Sequence, residues 1–192
     1  MNSKSLLRKF NELKDEEHGP RQIGRYYSSE LAKIRKGRFK PEEFFAPKPI
    51  DNTGLGNINR GVAYEARWAE VFEATGTGLK HEPTKQELKI DDFVIVSKPD
   101  FMSETAILEM KTPTIRTLNN YIFKGQIPYW YQDQLCCYSK TFGKDVYLAV
   151  AYDTPEQNFN LMTIKYEPSE ILWQESLAAL RDFHAKLLTL NK

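Results

Sequence analysis

Between Phe93 and Thr112 the chain reads FVIVSKPDFM, then Ser103-Glu104, then TAILEMKT. Two apolar, β-branched runs around a polar turn signal predict strands over 93–102 and 105–112, which commits the fold to a sheet. The same stretch holds charges where packing is expected: Asp100, Glu109 and Lys111. Strand side chains alternate faces, so Glu109 and Lys111 share one face while Leu108 and Met110 take the other. With the turn near 103–105, Asp100 lies across from Leu108 or Glu109, depending on register. Facing positions sit about 5 Å apart at Cβ.

Two carboxylates that close repel unless a cation lies between them. Hard oxygen ligands in a small cluster suit Mg²⁺ or Mn²⁺ rather than zinc. A neighbouring lysine can orient or deprotonate an attacking water, or offset charge in the transition state. These are the parts that phosphodiester hydrolysis needs. A Glu-x-Lys pair also describes any solvated strand face, and Pro-Asp is a common turn pair, so the reading needs support from the rest of the chain.

The chain has 192 residues with 41% hydrophobic and 28% charged, an ordinary globular composition that favours one domain. Net charge is only +1 but unevenly spread: residues 1–50 hold 12 Lys/Arg against 7 Asp/Glu, and the remainder holds 15 against 19. A basic part beside an acidic one suits a partner that is anionic in one place and metal-bridged in another. Solvated helix faces explain the same charges. No apolar run approaches a membrane span, and MNSKSLLRKFNELKDEEHG has no signal-peptide core, so an intracellular, cytoplasmic protein is expected (host cell interior if viral). Cys136 and Cys137 are adjacent and read as small apolar helix residues.

Helices are predicted over 4–17, 26–39 (capped by Ser28 or Ser29), 59–75, 127–143 and 168–190. Further strands are predicted over 145–152 and 159–166, and a Pro/Gly/Asn-rich loop over 45–59. In the helix over 59–75, Val62, Ala66, Ala69 and Phe72 or Val71 recur at helical spacing. This order predicts an α/β fold, a mixed central sheet flanked by helices. It divides into a helical basic part (1–58), a core (59–166) and a closing helix (167–192).

Glu65 lies mid-helix, four residues after Gly61, where a helix packed on the sheet could supply a third carboxylate. Gln134 and Tyr138 are four apart and share one helix face. In order, the chain offers a helix glutamate, Pro99-Asp100, Glu109-Met110-Lys111, then Gln134-x-x-x-Tyr138 and a strand. Over about residues 59–166 this resembles the PD-(D/E)XK nuclease superfamily, in its RecB-type and CRISPR-associated exonuclease-like branch with the Gln-x-x-x-Tyr motif. Glu65 stands where that branch has a metal-binding histidine, as in other branches of the superfamily. The resemblance implies a restriction-endonuclease-like core and a Mg²⁺- or Mn²⁺-dependent deoxyribonuclease, an exonuclease acting on DNA ends or single strands. A site- or structure-specific endonuclease is the runner-up, and a non-catalytic DNA-binding or recombination accessory protein the third reading. Glu65, Asp100, Glu109 and the Met110 backbone carbonyl would hold metal, Lys111 would assist the water, and Gln134 and Tyr138 would position the lysine or the strand. Many relatives hold an iron–sulfur cluster on four cysteines. The segment 26–45 resembles their N-terminal helix but has no cysteine, so no cluster is expected.

Arg116, Lys124 and the aromatic run Tyr129-Trp130-Tyr131 could hold phosphates and unpaired bases. Core packing explains the aromatics equally well. His18, His81 and His184 have no ligand spacing and read as ordinary surface or core histidines. The partner implied is DNA, with no membrane. Oligomeric state does not follow from the sequence.

Overall fold

Residues 21–45 and 52–190 are described in the structure, a computed structural model. In chain order they form β1 (Arg25–Tyr27), α1 (Leu31–Arg35), α2 (Asn52–Ala74), β2 (Lys80–His81), β3 (Gln86–Ile90), β4 (Phe93–Ser97), β5 (Phe101–Met102), β6 (Ala106–Lys111), α3 (Ile115–Asn120), α4 (Tyr129–Phe142), β7 (Asp145–Tyr152), β8 (Asn160–Lys165) and α5 (Glu170–Leu190). Short 3₁₀ turns cover Ser28–Glu30, Pro41–Glu43 and Ile122–Lys124. The predicted helix over 4–17 and His18 lie outside the described residues.

The expected mixed α/β architecture is present, but the strands fall into two sheets. One has three strands in the order β1-β4-β3, the other five in the order β2-β5-β6-β7-β8. The run 93–102 is therefore not one strand. Pro99 has no N–H to give a ladder and restricts the residue before it, so the chain leaves the first sheet after Ser97 and enters the second at Phe101. β6 and β7 pair in parallel, joined by a crossover through α3 and α4, while β5–β6 and β7–β8 are antiparallel.

As parallel neighbours in mid-sheet, β6 and β7 are covered on both faces. Ile107, Val146, Leu148 and Val150 pack with Leu135, Cys136 and Tyr138 of α4 and with Trp173, Leu177 and Leu180 of α5. Leu108, Met110, Ala149 and Ala151 pack with Tyr64 and Phe72 of α2. Leu135 and Leu148 are fully buried, each contributing about 1.5–3 kcal/mol by removal from water. Helix α4 follows its sequence signals closely: Pro128 sits at the N-cap and Gly143 at the C-cap with φ 64°, a left-handed conformation that glycine adopts without strain.

A second network ties three helices together. Arg35 of α1 donates to Asp133 of α4 from Nε (2.6 Å) and Nη2 (2.9 Å), and Ser176 of α5 donates to the same carboxylate at 2.8 Å. Elsewhere, His184 is buried with Nδ1 2.7 Å from the Tyr26 hydroxyl and Nε2 3.2 Å from Asp92, a satisfied core histidine. His81 rests on the Phe101 ring.

Several expectations are corrected. The loop expected over 45–59 is helical from Asn52, so Gly54 and Gly56 lie inside α2. Glycine weakens a helix by about 1 kcal/mol, and here packing of Tyr64 and Phe72 outweighs local propensity. Of the expected face of α2, Ala69 and Phe72 pack inward, while Val62 and Ala66 are exposed and Tyr64 is buried instead. In the segment expected as a helix over 26–39, Tyr26 and Tyr27 pair with β4 in parallel, and the helix shrinks to Leu31–Arg35. Neither Ser28 nor Ser29 caps it: Tyr27 is the N-cap of the preceding 3₁₀ turn, and the Glu30 carboxylate accepts the Tyr27 N–H at 3.2 Å. β3, which the sequence reading missed, forms a hairpin with β4 through Asp91-Asp92.

Candidate active site

Register settles the position of the first acid. Phe101 pairs with Leu108 and Met102 with Ile107, so the next step places Asp100 opposite Glu109. Asp100 sits just outside β5, where Pro99 has ended the previous strand, and its Oδ2 accepts the Met110 N–H at 2.6 Å. That bond fixes the carboxyl against the edge of β6.

Glu109 is only 3% exposed. Burying a carboxylate is tolerated only with dedicated partners, and Glu109 has them on both oxygens. Oε1 accepts Gln134 Nε2 at 2.8 Å and also pairs with Lys111 Nζ. Oε2 lies 2.9 Å from the Tyr138 hydroxyl, which is also 3.0 Å from the Lys98 carbonyl oxygen. The second hydrogen of the Gln134 amide reaches the Tyr138 oxygen at 2.8 Å. Helical spacing of four residues is what lets these two side chains meet and grip one carboxylate together.

Glu65 comes from α2, on the opposite side of the sheet from α4. It faces a cleft of 340 Å³ lined by Gly61, Val62 and Glu65 of α2 and by Met110, Lys111 and Thr112 at the end of β6. A methyl group at Gly61 would meet Thr112 and Glu65 at ordinary contact distance, so packing does not demand glycine there. Sequence reasoning missed Arg60 on the same helix, whose Nη2 donates to the Thr112 carbonyl at 2.6 Å. Its partner is a backbone carbonyl 52 residues away, which leaves no local sequence signal.

The cluster has more negative than positive charge. Burial pushes the Glu65 carboxyl up to about 7, with repulsion from Glu109 adding to it and Lys111 opposing it. Burial likewise holds Asp100 well above the usual carboxylate range, reinforced by Glu109 and Glu65. Burial pulls the Lys111 ammonium down, but Glu109 and Asp100 outweigh it and keep it above the ordinary lysine range. Tyr138 is held well above its usual value by burial, then by Glu109 and Asp100. Acids that keep their protons for want of a countercharge are a common mark of a working site.

Among the described residues, no three acidic, histidine or cysteine side chains form a ready-made metal sphere. Glu109 is already engaged by Lys111, Gln134 and Tyr138, and the remaining carboxyls surround the site without converging. The donor set is nonetheless all oxygen and short of positive charge, which fits a hard divalent cation and does not fit zinc or an iron cluster.

Glu65, Asp100, Glu109, Met110, Lys111, Gln134 and Tyr138 are thus brought together in one place. Arg116 and Lys124 are exposed on α3 and the turn after it, and neither is bonded to the carboxylates. Tyr129 is exposed and Trp130 half-buried at the start of α4. No helix among the described residues is long and apolar enough to cross a membrane.

No family model matches the chain, and no curated protein does. Solved structures do. An alkaline exonuclease (LHK-Exo) from Laribacter hongkongensis aligns with a TM-score of 0.62 at 18% identity, over 88% of this chain and 92% of that one. The same exonuclease in complex with dAMP aligns with a TM-score of 0.61 at 18% identity, over the same 88% and 92%. A phage-related exonuclease from Haemophilus somnus 129PT aligns at 0.53 with 14% identity, over 88% and 96%. At these identities the likeness is one of fold, and the chain has the mixed α/β fold of these exonucleases.

Proposed function

We propose that the protein is a Mg²⁺- or Mn²⁺-dependent deoxyribonuclease of the PD-(D/E)XK type, acting from DNA ends. The observation that carries the reading is the joining of Asp100, Glu109 and Lys111 beside a cleft that Glu65 also faces, with Gln134 and Tyr138 holding Glu109 from behind. The fold likeness to exonucleases, one of them in complex with dAMP, supports a deoxynucleotide strand as substrate and action at ends.

Glu65, Asp100 and Glu109, with the Met110 carbonyl, would hold the cation. When bound, it supplies the positive charge that this cluster lacks and stabilises charge building on the scissile phosphate. Gln134 and Tyr138 keep Glu109 in one orientation, so that the carboxylate does not reorganise during the reaction. Lys111 stays protonated between Glu109 and Asp100. Its ammonium orients the attacking water and offsets phosphate charge.

The test is incubation with end-labelled linear and closed-circular DNA in Mg²⁺, Mn²⁺ or EDTA. Linear DNA is degraded with either metal, circles survive, and EDTA stops the reaction. Equal cleavage in EDTA rejects the metal, and rapid cutting of circles rejects end-directed action in favour of an endonuclease.

A further inference from the structure

A row of aromatic rings leads away from the acid cluster along the start of α4. Trp130 precedes Gln134 by four residues and stands one turn beyond it on the same helix face. Its ring meets Tyr121 (centroids 5.4 Å apart, 78° between planes) and Tyr129 (4.9 Å, 83°). Tyr129 is 40% exposed. Lys36 Nζ lies 5.5 Å from the Tyr129 ring centroid, and Arg38 Nη2 donates to its hydroxyl at 3.5 Å.

Those two cations belong to LAKIRKGRFK (31–40), a stretch without a single acid, in which Lys33, Lys36, Arg38 and Lys40 are all exposed. Arg35 in the same stretch is taken by Asp133 and Glu175, and Glu42 closes the strip beyond Lys40. Some other exposed cations lie against carboxylates, as Lys140–Glu170, Lys165–Asp145 and Arg181–Asp91 do. Among the described residues, no carboxylate lies within ion-pair distance of Lys33, Lys36, Arg38 or Lys40. Unmatched cations beside an exposed aromatic face fit a ligand with both phosphates and flat bases.

We propose that Tyr129, Lys36 and Arg38 form a landing site for an unpaired DNA strand, the base stacking on Tyr129 and the phosphates lying along Lys36 and Arg38. Tyr129 is five residues from Gln134, a helical rise of about 7.5 Å, or roughly two stacked bases, and about 140° around the helix, with Trp130 on the Gln134 face beside it. A strand seated there would pass the Trp130 ring to reach the carboxylates. The inference rests on the nuclease reading and gives it a substrate form: an end with a single-stranded portion.

The experiment measures binding of a fluorescein-labelled oligothymidine to the full chain in Ca²⁺, beside an abasic strand of equal length and a blunt duplex. Tyr129→Ala weakens oligothymidine binding by roughly tenfold, leaves the abasic strand unchanged, and Tyr129→Phe restores wild-type affinity. Lys36→Ala with Arg38→Ala lowers the salt slope by about 1.4 for both single strands. Unchanged oligothymidine affinity in Tyr129→Ala, or tighter binding of the blunt duplex than of the strand, overturns the site. If DNA is cleaved while Tyr129→Ala binds like wild type, this inference alone falls. If strand binding depends on Tyr129 but no metal supports cleavage, the landing site stands and the nuclease reading falls.

Discussion

Asp133 and Gln134 are neighbours on α4 and face two buried ionic networks of opposite character. Asp133 is fully buried and satisfied: the fork of Arg35 meets both its oxygens, and Ser176 adds a third bond. Gln134 points into the other network, where Glu65, Asp100 and Glu109 crowd around the ammonium of Lys111, with Lys98 a weaker influence on Glu65. Burial is nearly equal, since Glu109 is 3% exposed and Asp133 0%. What separates them is charge balance. A buried network that satisfies itself holds helices together, whereas one left short of countercharge is arranged for something that has yet to arrive.

The largest expected effect lies in the unbalanced network. Lys111→Ala and Glu109→Gln each lower single-turnover cleavage by about 10²–10⁴. Binding measured in Ca²⁺ falls slightly for Lys111→Ala and stays equal or tightens for Glu109→Gln, which removes a negative charge facing phosphates. Near wild-type rates in both variants reduce the cluster to a buried polar network that serves structure alone.

The balanced network breaks differently. Arg35→Ala strands a buried carboxylate and lowers stability by about 3–5 kcal/mol in denaturant titration, while the folded molecules cleave at the wild-type rate. Replacing both partners at once, Arg35→Met with Asp133→Leu, recovers most of that loss. A double variant as unstable as the single one contradicts the account.

The smallest effect has the opposite sign. Glu65→Gln removes an acid that lacks a countercharge, so the metal-free protein gains about 0.5–2 kcal/mol. Glu65 keeps its proton up to about 7 when folded, against an ordinary value of 4.5. Wild-type stability therefore falls as pH rises from 4.5 to 7 and levels above that, because the unfolded chain gives up the proton first. The gain from Glu65→Gln is absent below this window and complete above it. Melting curves at several pH values in EDTA show it, and a gain independent of pH refutes it.

The unbalanced network was legible in the sequence in pieces, from local spacings, and the resemblance to the PD-(D/E)XK superfamily joined Glu65, Gln134 and Tyr138 to them. Strand alternation puts Glu109 and Lys111 on one face, and a spacing of four joins Gln134 to Tyr138. The buried side of α2 was read in part: Ala69 and Phe72 pack inward as expected, but Tyr64 does so in place of Val62 and Ala66. The balanced network was invisible, because Arg35 and Asp133 are far apart in the chain and each reads alone as a surface charge. β3 was missed for a related reason: QELKI is half solvent-facing and shows little apolar signal until β4 lies beside it.

The connection at Lys98-Pro99-Asp100 has a consequence for how this chain can vary. Ser97 is locked to Gln86 in one sheet and Phe101 to Leu108 in the other, with only three residues between them. There is no slack to absorb an insertion. One added residue would either shift Asp100 away from the Met110 N–H or slip β5 by one position, turning Phe101 out of its pocket. This segment can drift only by substitution, and gaps in any alignment of its relatives should avoid it.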